Sequence, residues 1–88
     1  MKISLIKGAF EAEDMLNIIT QMVHVKIKYH EDQIKFDDSE EQIKMREKRI
    51  VELQRDLFDL RKKLIYHNKQ VHVDAEIKVE FVNHKAIA

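Results

Sequence analysis

The sequence predicts a single α+β domain over residues 1–88, with the element order β-α-α-β. In this fold a helical hairpin packs on a small antiparallel sheet, and dimerisation extends the sheet. Two long stretches without Gly or Pro are rich in helix-forming residues, and the two ends of the chain have strand-like patterns. The 88 residues include one Gly and no Pro. Because Gly and Pro are typical of turns, their scarcity favours a few long elements over a β fold with many strands.

The first predicted strand covers residues 2–6, which are mostly β-branched or apolar. Gly8, the only glycine, is predicted to form the turn after this strand and to serve as the N-cap of a helix. Acidic residues follow at Glu13 and Asp14, where they suit the positive end of the helix dipole. We therefore expect helix 1 to begin near Gly8 and to end at about His30.

Helix 1 has an unusually wide apolar arc, about 200° of its circumference at 100° per residue. A helix that covers a single surface needs a stripe of only about 100°. The arc therefore predicts a sheet on one side of helix 1 and a second helix or a second subunit on the other. The arc contains Met15, Leu16, Ile18, Ile19, Met22, Val23, Val25, Ile27 and Tyr29.

Helix 2 is predicted over residues 40–67. Asp38 and Ser39 are both good N-caps, and each has Glu or Gln three residues later, so two overlapping capping boxes mark the same start. The heptad pattern of apolar residues spans only about two heptads, too short for a long coiled coil. We expect an antiparallel helix pair, formed either within one chain or between two chains.

Residues 71–81 alternate strictly between apolar and polar side chains, which predicts a long strand with one apolar face. This strand would be about twice as long as the first, and a two-stranded ribbon has open edges. Pairing with a second copy about a two-fold axis would extend the sheet. The sequence thus predicts a homodimer with five apolar interface residues: Val71, Val73, Ile77, Val79 and Phe81.

The composition limits the function classes. The chain has 16 Lys plus Arg and 16 Asp plus Glu, so no net charge attracts it to nucleic acid or to anionic lipid. The absence of Cys excludes zinc ribbons, thiol nucleophiles and redox motifs, and it is compatible with a reducing compartment. No apolar run approaches the ~20 residues of a membrane-spanning helix. We expect a cytoplasmic protein without a membrane partner.

Known catalytic and metal-binding patterns are missing from the sequence. A single Gly excludes glycine-rich phosphate and dinucleotide loops, and no nucleophile elbow or HExxH motif is present. His24 and His30 would point in different directions from one helix, and the other three His lack metal-ligand spacing. We therefore expect no catalytic residues, no metal and no cofactor, and we expect that the protein is not an enzyme.

The leading functional hypothesis is a homodimeric protein–protein interaction module, with itself and possibly another protein as partners. A second hypothesis is an accessory nucleic-acid-binding protein. We do not expect nucleic acid as a partner, because a run of charged residues on a helix usually forms a solvent-exposed face. Its candidate residues are the basic cluster Lys44, Arg46, Lys48 and Arg49.

A third hypothesis is a small-ligand pocket near Lys26 and His30. Both residues fall inside the apolar arc of helix 1 at a spacing of four, so their side chains are neighbours. The structural explanation is that the aliphatic part of Lys26 crosses the apolar surface and places its ammonium group in solvent, while His30 forms a hydrogen bond at an interface. The functional explanation is a polar pocket for an acidic ligand or a partner carboxylate.

Overall fold

A computed structural model of the chain describes residues 1–37, 39–66 and 69–82. It confirms the predicted α+β class and element order. Two helices form a hairpin, and two strands form one antiparallel sheet. The elements are β1 (Lys2–Glu11), α1 (Ala12–Ile34), α2 (Glu40–Ile65) and β2 (Gln70–Lys78).

Strand β1 continues well past the predicted end at Ile6, and the prediction of a turn and helix cap at Gly8 is wrong. Gly8 lies within β1, opposite Val73, with a φ of +140° that favours glycine. The helix begins four residues later at Ala12, and Glu11 precedes it without a side-chain capping bond.

A β-bulge interrupts the regular pairing of β1 with β2. Ser4 pairs with Glu76 and Ile6 pairs with Ala75, so Leu5 is an extra residue in β1. Without the bulge, Ile3 and Ile6 would point to opposite faces of the sheet, because side chains alternate along a strand. The bulge puts both on one face.

The two strands have matched lengths, 10 residues in β1 and 9 in β2. The prediction that the last strand is twice as long as the first is therefore wrong. Phe81 lies beyond β2 and is 88% exposed. The backbone N–H of Val79 still donates to the Met1 carbonyl oxygen at 2.8 Å. Unequal strand length is thus no longer an argument for a dimer.

The ribbon formed by β1 and β2 has one polar and one apolar face. Pairs such as Ser4 with Glu76 and Lys7 with Asp74 lie on the polar face. On the apolar face, most side chains are half-buried, but Ile3 and Ile77 at the far end are 39% and 43% exposed. We call this surface the apolar ribbon face. It consists of Ile3, Ile6, Gly8, Phe10, Val71, Val73, Ala75 and Ile77.

The helices pair within the chain, which settles the question that the sequence left open for α2. Helix α1 runs to Ile34, one turn beyond the expected end, and α2 ends at Ile65. The side-chain oxygen of Ser39 accepts a hydrogen bond from the Gln42 backbone N–H at 3.2 Å. The Ser39 capping register is therefore formed, whereas Asp38 and His67 lie outside the described residues.

We expect Ser39→Ala to lower the free energy of unfolding by about 1 kcal/mol, because the first turn of α2 loses its capping acceptor. Urea denaturation followed by circular dichroism measures this change. Ser4→Ala, at an exposed position in β1, is the matched control and is expected to have a much smaller effect. Equal losses in the two variants would contradict the capping role.

The core of the described part of the chain is small. Only Ala12, Met15, Ile27 and Leu57 are buried, and Met15 alone is fully enclosed. Of the two helices, only α1 contacts the strands.

The wide apolar arc of α1 is therefore covered where it meets α2 and the strands, and it is open elsewhere. Its open part, which we call the α1 stripe, is between 39% and 71% exposed and consists of Ile18, Met22, Val25 and Tyr29. Neither helix described here combines the length and apolarity that crossing a membrane requires.

Candidate functional site

A groove lined largely by charged residues lies where the end of α1 faces the beginning of α2. It is an open groove with a volume of about 700 Å³. We call it the hairpin groove. It brings together two sets of residues that the sequence treated as separate candidates, one on each helix. The lining residues are Lys26, His30, Asp37, Gln42, Met45, Arg46, Lys48, Arg49 and Glu52.

The antiparallel hairpin explains why these residues meet. Lys26 and His30 are one turn apart on α1, so they lie on the same side of that helix. Arg46 and Arg49 have the corresponding spacing of three on α2. Because the connector between the helices is short, the last turns of α1 face the first turns of α2. Two residues of α1 and two residues of α2 therefore lie along one groove.

Arg46 joins the two helices and the connector. Its Nε donates to Asp37 Oδ2 at 2.9 Å, and its Nη1 lies 3.1 Å from His30 Nδ1. The side chains of Arg46 and Asp37 are 26% and 12% exposed, so this ion pair is shielded from solvent. A shielded Arg that two different side chains hold in place is a positioned charge rather than a mobile surface charge.

His30 is neutral in this arrangement. A guanidinium only donates, so the Nδ1 facing Arg46 accepts and the ring proton lies on Nε2. Nε2 is enclosed and has no hydrogen-bond partner among the described residues. Burial lowers the pKa of His30 below its ordinary value of 6.5, and the charges of Lys26, Arg46 and Arg49 lower it further.

This lowered pKa predicts a pH dependence of stability. In the unfolded chain, His30 takes up a proton as the pH falls through 6.5, whereas the folded chain resists that proton. The contribution of neutral His30 is therefore fully present above pH 6.5 and decreases as the pH falls toward the lower folded pKa. We expect His30→Gln to flatten the decline in unfolding free energy between about pH 7.5 and pH 5.

The matched control is His24→Gln, at an exposed position on the same helix. Urea denaturation at a series of pH values compares both variants with the wild-type protein. A decline that is unchanged in His30→Gln, or equally flattened in His24→Gln, would show that His30 is not the group responsible.

Tyr29 belongs to this site although its side chain was predicted only as part of the apolar arc. Its ring centroid lies 4.8 Å from Lys26 Nζ and 5.7 Å from Arg46 Cζ, so one ring contacts two cations. Its edge also meets His30, with ring centroids 5.6 Å apart. The spacing of three between Lys26 and Tyr29 was a usable sequence signal. Asp37 gave no such signal, because it lies in a connector without a periodic pattern.

The hairpin groove carries a surplus of positive charge. Its four cationic residues face two carboxylates, of Asp37 and Glu52. Asp37 pairs with Arg46, and Glu52 pairs with Arg49 at 3.2 Å. Lys26 and Lys48 form no salt bridge with any residue that the structure describes. Among the described lining residues, the net surplus is two positive charges in a chain whose formal charge is zero.

The predicted basic cluster is distributed over more than one surface. Arg46 points into the hairpin, whereas Lys44 lines a neighbouring depression together with Lys48. Glu40 and Glu41 line that same depression. Acidic side chains therefore interrupt the basic surface that a nucleic-acid backbone would follow.

The described part of the chain holds no group of three or more His, Asp or Glu side chains arranged to bind a metal ion. Comparison of the chain with family models, curated proteins and solved structures finds no match.

Proposed function

We propose that this protein is a homodimeric, non-catalytic interaction module, and that a second copy covers the apolar ribbon face. The observation that carries this proposal is the amount of surface that a single chain exposes. The chain exposes 7616 Å². A compact folded monomer of this mass exposes about 5,500 Å².

Part of this excess reflects the elongated shape of the chain, 51 × 30 × 14 Å, and the apolar ribbon face is one part of the exposed surface. About 2,100 Å² per chain is exposed beyond the compact value, and obligate homodimers bury about 1,000 to 2,500 Å² on each subunit. The radius of gyration of 16.6 Å reflects the same elongated shape. A compact domain of this length would have a radius of gyration of about 12 Å.

The apolar ribbon face is the part of this surface that we assign to the second copy. Its residues form a continuous sheet surface, and its far end at Ile3 and Ile77 is open. A two-stranded ribbon is marginally stable unless its apolar face is covered. A second ribbon placed face to face about a two-fold axis presents the same apolar residues and covers both copies at once.

The hairpin groove supports a non-catalytic role. Its only side chain with an ordinary pKa near neutrality is His30, whose Nδ1 is already bonded to Arg46. The other ring nitrogen is enclosed by protein. A general acid or base must reach the proton that it transfers, and neither nitrogen of His30 is placed to do so.

Single cysteines test the arrangement directly, because the chain has no native Cys. We expect a cysteine at Val73 or at Ile77, both on the apolar ribbon face, to form an intermolecular disulfide on mild oxidation. A cysteine at Asp74, on the polar face of the same strand, is the matched control and is expected to remain reduced. Non-reducing gel electrophoresis measures the cross-linked fraction.

The pattern of cross-links separates the possible outcomes. Cross-linking at apolar positions alone supports face-to-face association. Equal cross-linking at Val73 and Asp74 indicates strand-edge pairing instead and contradicts the proposed interface. Cross-linking at none of the three positions, in a protein that sediments as a monomer, would contradict self-association itself.

A further inference from the structure

We propose that the hairpin groove binds a phosphate dianion, either free or carried by a small molecule. This inference concerns a different surface from the apolar ribbon face and does not depend on dimerisation. It rests on three observations about the groove: its surplus charge, a fixed arginine and its limited extent.

The surplus charge matches the proposed ligand. Four cations and two carboxylates among the described lining residues leave two positive charges, and a phosphate carries about −1.5 to −2 at neutral pH. Lys26 and Arg46 are held against the same Tyr29 ring, at 4.8 and 5.7 Å from its centroid. Like charges in one groove repel each other, and a bound dianion would relieve that repulsion.

Arg46 supplies preorganised donors. An arginine has five N–H groups, and Arg46 uses its Nε and one Nη1 hydrogen to bond Asp37 and His30. The remaining N–H groups have no hydrogen-bond partner among the residues that the structure describes, so an oxyanion could bind them without loss of the Asp37 contact. Because the guanidinium is already fixed, less conformational entropy is lost when the ligand binds.

The surroundings favour a small ligand over a polyanion. The groove measures about 700 Å³, and Glu52 lines it at the Arg49 end. The adjoining depression contains Glu40 and Glu41 beside Lys44 and Lys48. An extended nucleic-acid backbone that leaves the groove would meet these carboxylates, whereas one phosphate group would not.

Isothermal titration calorimetry of the full chain tests the proposal, with inorganic phosphate and glycerol 3-phosphate as probes at constant ionic strength. We expect both to bind, and tighter binding of the ester would identify a phosphorylated small molecule as the source. Lys26→Ala and Lys48→Ala remove exposed cations, and each is expected to weaken binding about three- to tenfold. Lys63→Ala, exposed in the last turn of α2, is the matched control and is expected to leave the affinity unchanged.

A further variant strengthens the test because it predicts a gain. Glu52→Gln removes the carboxylate that pairs with Arg49 and is expected to raise phosphate affinity about threefold or more. Circular dichroism confirms folding of each variant before titration. Three results would overturn the proposal: absence of phosphate binding by the folded protein, equal weakening in Lys63→Ala, or binding of a random single-stranded oligonucleotide that phosphate does not compete away.

Discussion

Ile77→Glu is expected to convert the proposed dimer to monomers. In an isolated chain Ile77 is 43% exposed, so a glutamate there would meet water and cost little. In the proposed dimer the same position faces the second copy, and burial of an unpaired carboxylate costs several kcal/mol. Since a two-fold interface contains the substitution twice, we expect the dissociation constant to rise by about 100-fold or more. Sedimentation velocity over a range of concentrations measures this change.

Ala9→Glu is the matched control for this experiment. It introduces the same side chain into the same ribbon, at an exposed position on the polar face opposite His72. We expect this variant to remain dimeric. If Ile77→Glu stayed dimeric, or if both variants dissociated equally, the apolar ribbon face would not be the interface.

Met15→Ala is expected to cause the largest loss of folding stability of any single truncation in the described core. Met15 is fully buried, with 0% exposure, near the junction of α1 with the ribbon. Truncation of a buried methionine to alanine costs about 2 to 5 kcal/mol. Domains typically have only about 5 to 15 kcal/mol of stability, so we expect a large fraction of the free energy of unfolding to be lost.

Met22→Ala provides the comparison, because it makes the same chemical change on the same helix at a position that is 39% exposed. We expect a loss below about 1 kcal/mol there. Urea denaturation at one fixed protein concentration measures both variants, since dimerisation would make stability depend on concentration. Similar losses in the two variants would contradict the placement of Met15 in the core.

The elements with an unbroken local pattern were predictable from the sequence. The strict alternation around Val73 identified β2, and Ser39 followed by Gln42 identified the start of α2. Both signals arise from neighbouring residues, so they do not depend on the rest of the fold.

Strand β1 was only partly predictable, because its pattern depends on its partner strand. The bulge at Leu5 shifts the alternation by one residue, and it is defined only by the pairing of Ser4 and Ile6 with β2. Gly8 then suggested a turn, although its positive φ is accommodated inside the strand. These two features made β1 look shorter in the sequence than it is, so the two strands were predicted to differ in length.

The residues that each helix contributes to the candidate site were predictable from the sequence, but their contact with each other was not. The spacing of Lys26 and His30 indicated their shared side of α1, and the basic run indicated Arg46 and Arg49 on α2. Their meeting required the hairpin, and the contact of Arg46 with Asp37 required the path of the connector. Contacts between side chains that are distant in sequence produce no periodic pattern, so the sequence alone does not predict them.

The molar mass in solution tests the central claim most directly. Sedimentation equilibrium of the wild-type chain at micromolar concentration is expected to give about 21 kDa, twice the chain mass of 10.6 kDa. A mass of 10.6 kDa that persists up to the highest soluble concentration would show that one chain leaves the apolar ribbon face open to water, and it would contradict the proposed homodimer.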